Sequence, residues 1–169
     1  MSNKVDELKA KVLKAQTEAD IASLYVLEKE AFEVFDEDTL QGFYANILDI
    51  ALEKLTDTLE SHKKLDLSEV QDFATTRALY EYAMEHYSAG AIKDASALFE
   101  VLSGMTNDDK FSWSLKLHWL ASAEGISLED FMDKFADIEV TQVNKTFYIS
   151  GFTKEAQQLL DNSQESKGK

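Results

Sequence analysis

The side chains best equipped for chemistry are few, and their spacing argues against most of it. The three histidines, His62, His86 and His118, stand far apart. None belongs to a His-Glu-x-x-His or Glu-x-x-His arrangement, the spacings that put metal ligands on one helix face. Each is therefore expected to be a surface or half-buried imidazole. There is no cysteine, which removes disulfides, thiolate nucleophiles and thiolate metal sites together. Asp36, Glu37 and Asp38 gather oxygen donors, but an EF-hand loop needs another oxygen ligand and then glycine where Leu40 and Gln41 stand. That cluster reads as a charge group at a helix N-terminus. Without a Gly-rich phosphate loop or a Gly-x-Ser-x-Gly elbow, covalent catalysis would need an unannounced serine or lysine. No catalytic residue, metal or cofactor is expected.

Thirty-two acidic residues against seventeen basic ones give a net charge of −15. Such a charge repels phosphates, so generic nucleic-acid binding is not expected, and it steers toward basic partners. The first fourteen residues differ, with Lys4, Lys9, Lys11 and Lys14 against Asp6 and Glu7. A small apolar face there favours a peripheral helix folding back on the domain over a membrane-surface helix. No apolar run approaches the roughly 20 residues of a bilayer span. The opening residues contain no apolar signal region, so a cytoplasmic location is expected.

These residues must be positioned by helices. Proline is absent and glycine occurs six times, which favours long helices over many-stranded sheets. Apolar residues at helical spacing predict an opening helix over Val5 to Ala15, then one capped by Thr17 and carrying Ile21, Leu24 and Phe35. Further helices are expected from about Leu40 to His62, from Ser68 to Ala89, and from Ile92 to Ser103, where Gly104 stops the run. Asn107 or Asp108 caps the next, through Trp113 and Trp119 to Glu124, and Ser127 opens a short one. Ile138 to Ser150 turns β-branched and aromatic and predicts a small hairpin. Thr153 then caps a final helix to Leu160. The fold class is thus mainly α, with antiparallel helical hairpins, a small C-terminal β-hairpin and a final helix. One domain is expected over 1–162, followed by a disordered polar tail over 163–169.

Ala78 to Ser103 carries the one segment with a recognisable pattern. Two short amphipathic helices meet at Ala89-Gly90-Ala91 and must pack antiparallel. Ala83 and Ala95 supply the small positions where the helices approach, while Leu79, Tyr82, Phe99 and Leu102 supply bulk. This arrangement resembles the tetratricopeptide repeat, a helix-turn-helix unit of about 34 residues. Gly90, Ala95 and Phe99 hold the register, and one repeat length on from Leu79 stands Trp113, the type favoured there. The resemblance covers roughly 76–122. Among repeat proteins of this size the segment is similar to the translocator chaperones of type III secretion. The matching residues are Leu79-Tyr80, Ala83, Tyr87, Gly90, Asp94-Ala95 and Phe99. Such chaperones carry three repeats, whereas this chain shows one clear unit and one decayed unit.

The resemblance implies a binding face. Arg77, Tyr80, Met84 and Tyr87 form a stripe beside the packed one, and the corresponding positions one repeat on are Phe111, Ser114, His118 and Ala121. In repeat families this stripe lines a concave peptide-binding surface. An apolar or amphipathic segment of a protein partner would suit aromatics and methionine there. The alternative is that the N-terminal helices cover the stripe and make it core. The function expected is a protein-interaction adaptor or chaperone. An acidic mimic of nucleic acid, as in some phage-encoded inhibitors, and an enzyme of an unrecognised helical family are the alternatives.

Overall fold

The computed structural model describes residues 2–167. Among them are nine helices, with no β-pairing longer than an isolated bridge. The chain is mainly helical, as its glycine-punctuated apolar periodicity predicts. It divides into two compact units, Met1–Leu79 and Tyr80–Lys169.

The first unit holds α1 (Ser2–Thr17), α2 (Ile21–Val34), α3 (Glu37–Glu60) and the start of α4 (Val70–Ser88). Leu8, Val12 and Ala15 on α1 are buried with Ile21, Leu24 and Ala31 on α2. On α3, Phe43, Ile47, Ala51 and Leu55 recur every four residues and are buried too, the expected stripe of an amphipathic helix. The cap of α2 is Asp20, not Thr17. Its carboxylate accepts from the Ser23 backbone N–H at 3.0 Å and the Ser23 hydroxyl at 2.6 Å. Thr17 instead donates back to the Leu13 carbonyl at 2.8 Å and belongs to α1. The chain reverses between them through Ala19, whose φ of 53° is left-handed. Gln71 of α4 also donates to Asp20 and accepts from the Ala22 N–H, and Lys54 pairs with Asp72 at 3.0 Å. These donors, the Ser23 hydroxyl foremost, hold the Asp20 carboxyl below its ordinary pKa.

The second unit contains the rest of α4 and the helices α5 (Ile92–Met105), α6 (Asp109–Ala123), α7 (Leu128–Lys134), α8 (Ile138–Asn144) and α9 (Lys154–Lys167). Gly90 joins α4 to α5 with a φ of 86°, a conformation in which a Cβ is strained. Gly104 does not stop α5; the helix passes through it and ends at the Thr106 cap. Asp108 caps α6 and Ser127 caps α7 through their side-chain oxygens. Helix α6 packs on α5 and buries Leu117 against Ala156 and Leu160 of α9. The final helix continues past Leu160 to Lys167, over residues expected to be a disordered tail. No glycine or proline interrupts it before Gly168, and Gln157 donates to Asp161 one turn on at 3.1 Å. Gly168 and Lys169 lie outside the described residues.

The expected C-terminal β-hairpin is absent. Ile138 to Asn144 forms α8, with Asp137 accepting from the Val140 N–H as its cap and Lys145 ending it in a left-handed conformation. The first half of the expected hairpin is helical and supplies no partner strand, and backbone donors at the end of the second half go to the Thr141 hydroxyl. That hydroxyl accepts from the N–H groups of Ser150 at 3.2 Å and Gly151 at 2.8 Å. What pairing remains is one antiparallel bridge between Ala136 and Phe152. Gly151 is required there: a Cβ would lie 2.5 Å from the Asp137 carbonyl oxygen and 2.6 Å from the Val140 Cβ. Among the described residues, no helix is long and apolar enough to cross a membrane.

Candidate functional site

Four of the predicted partner-binding side chains meet inside the second unit. Tyr80, Tyr87, Phe111 and His118 are all buried, His118 and Phe111 at 0% exposure. Ser114 and Ala121, the neighbouring stripe positions, are buried as well. Phe99 of α5 lies 5.8 Å from Tyr87 and 5.1 Å from His118 between ring centroids. Phe131 of α7 stands 5.0 Å from His118, and Phe147 stands 5.9 Å from Tyr80. Tyr148 packs 4.6 Å from Phe111. The Tyr87 hydroxyl donates to the Ile126 carbonyl at 2.6 Å. The open groove expected on this stripe is therefore corrected: as folded, these side chains are core and present no surface to a partner. The covering segments, 126–131 and 147–149, are outside the repeat resemblance, so its register held no sign of them.

Arg77 and Met84 are placed differently. Arg77 is half-buried in the first unit, over the Tyr25 ring at 4.1 Å and paired with Glu28 at 3.5 Å. Met84 is half-buried in the second.

The buried cluster contains a closed chain of hydrogen bonds. The Ser114 carbonyl can only accept, so the His118 Nδ1 at 2.7 Å carries a proton and donates to it. Burial pushes the imidazole pKa down to about 4, so at neutral pH the other nitrogen is unprotonated. His118 Nε2 then accepts from the Tyr80 hydroxyl at 2.7 Å. The Tyr80 oxygen in turn accepts from the Ile149 N–H at 3.1 Å. Burial raises the Tyr80 pKa, keeping its proton in place. Every strong donor and acceptor in this chain is occupied internally. It fixes the covering segment to α4 and α6, and offers a solvent-borne reactant no free base.

A cleft of about 490 Å³ opens on the outer side of the same segment. One wall is the start of α6, with Asp109, Lys110, Trp113 and Ser114. The other is Asn144 with Thr146, Tyr148 and Ser150. The last three lie on an irregular segment that bends at Phe147 and Tyr148 and brings the Thr146 and Ser150 hydroxyls to 2.7 Å of each other. Trp113 is 39% exposed and sits at 78° to the Phe152 ring, 5.4 Å away. Burial, with help from Asp108, pushes the Tyr148 phenol up to about 12. Sequence reasoning singled out Trp113 for its register and missed the cleft, because the opposing wall was assigned to a hairpin.

Helix α8 is unusual in burying none of its residues. Ile138, Val140 and Val143 are exposed, Val143 at 79%. Among the described residues, no group of three histidine, aspartate or glutamate side chains is arranged to hold a metal ion. Compared with family models, curated proteins and solved structures, the chain finds no match.

Proposed function

We propose that the chain is a protein-interaction adaptor or chaperone that docks an amphipathic segment of a partner on the outer face of α8. The observation that carries this reading is that α8 buries none of its residues while exposing Ile138, Val140 and Val143. Val140 and Val143 stand about one helical turn apart and leave adjoining apolar area exposed, the kind of feature that marks an interaction surface when it forms a contiguous patch. The Gly90 turn and the aromatic packing of α4 on α5 support the tetratricopeptide resemblance as a scaffold, with the binding face moved off the stripe. The charge of −15 keeps the protein and any captured segment soluble and favours a basic rim on the partner. The test is affinity capture from native lysate with the parent and a Val140→Ser, Val143→Ser double variant. Loss of one recurring partner in the variant, at unchanged thermal stability, supports docking on α8; retention rejects it.

The second reading, an acidic mimic of nucleic acid, is favoured by that charge alone. It requires capture that collapses with added salt and ignores the apolar substitutions.

A further inference from the structure

The cleft between α6 and residues 144–150 is distinct from the α8 docking face in the occupant it suits. Its size lies within the range of small-ligand sites, roughly 300–1,000 Å³. Its lining charges, Asp109 and Lys110, oppose each other, so no net charge is selected. Its polar wall can be read atom by atom. Thr146 Oγ1 donates its only proton to the Tyr148 carbonyl at 2.7 Å. In the 2.7 Å contact between Thr146 Oγ1 and Ser150 Oγ the serine must therefore donate. Ser150 Oγ also accepts from Asn144 Nδ2 at 2.9 Å. The Thr146 and Ser150 hydroxyl protons are thus spent inside the wall, so the lone pairs left on these oxygens and the Asn144 carboxamide oxygen are acceptors, while the second Asn144 amide proton, the Tyr148 hydroxyl and the Lys110 ammonium are donors. A matching ligand must both donate and accept, as hydroxyl groups do. An apolar ligand would bury these groups unpaired, at a cost, and an anionic one would meet the overall negative field.

We propose that this cleft binds a small neutral ring rich in hydroxyl groups, of the pyranose class. Its C–H face lies on the Trp113 indole and its hydroxyls donate to Asn144, Ser150 and Thr146. The indole supplies a flat apolar platform, already oriented by Phe152, which reduces the ordering cost of binding.

The experiment titrates the nitrogen-15-labelled full chain with the methyl pyranosides of glucose, galactose and mannose. At least one should give saturable shifts of the Trp113 indole N–H and the Asn144 side-chain amide. Its affinity should fall by about tenfold or more in both Trp113→Ala and Asn144→Ala, equivalent to about 1.4 kcal/mol or more. Asn144 is exposed, so its variant keeps the fold even if Trp113→Ala does not, and the rest of its amide spectrum verifies that. The proposal is overturned if none of the sugars shifts these signals saturably. It is equally overturned if affinity is unchanged in Asn144→Ala, or if glycerol produces the same saturable shifts.

Discussion

His118 is neutral at physiological pH because its surroundings leave no room for a second proton. Nδ1–H is committed to the Ser114 carbonyl, Nε2 accepts from Tyr80, and the ring is wholly buried. Its pKa falls from 6.5 to about 4, so the folded state binds the proton more weakly than the unfolded chain. Stability from this group is fully present above the unfolded value. It declines as pH drops from there and is lost by the time pH passes below the folded one. Parent protein should accordingly lose about 2 kcal/mol more than His118→Gln between neutral pH and about pH 4.5 in urea unfolding. Equal losses would mean that His118 is not neutral and buried. Tyr80→Phe removes the donor to His118 and the acceptor for Ile149 N–H while keeping the ring. It should cost about 1–3 kcal/mol through unpaired polar groups, measured by the same unfolding curves at neutral pH.

At the scale of the element, glycines separate two kinds of constraint. Gly104 lies inside α5 with nothing near a built Cβ, so Gly104→Ala should stabilise by up to about 1 kcal/mol through helix propensity. Gly151→Ala should instead destabilise by about 1–3 kcal/mol, because its Cβ meets the backbone of α8. Urea midpoints moving in opposite directions check both at once. Helices α3, α5 and α6 were legible because their apolar residues repeat at helical spacing, in α3 and α6 behind the side-chain caps Asp36 and Asp108. The Gly90 turn was legible because a glycine follows an amphipathic run. The 138–150 segment was not, since β-branched residues signal strand locally while Asp137 and Thr141 redirect the backbone hydrogen bonds. Nor was the cleft, for its walls are brought together by that same unforeseen path. The histidine's burial escaped notice because its covering aromatics lie beyond the recognised repeat.

For the whole molecule, the relevant quantities are surface charge and exposed apolar area. Acidic residues outnumber basic ones nearly two to one, and such a surface opposes self-association at low salt. The aromatic stripe contributes to the core, so Tyr87→Ala should lower the unfolding free energy by about 3–5 kcal/mol, as large buried aromatics do. A variant as stable as the parent would reopen the groove. Partner capture, in contrast, should depend on α8. Site-directed photo-crosslinking in native lysate tests this most directly, with the reactive side chain placed at Val143 on α8 or at Ala97, an exposed position on α5. Docking on α8 predicts one discrete protein adduct from position 143 and none from 97. No adduct from 143, or the same adducts from both positions, would contradict it.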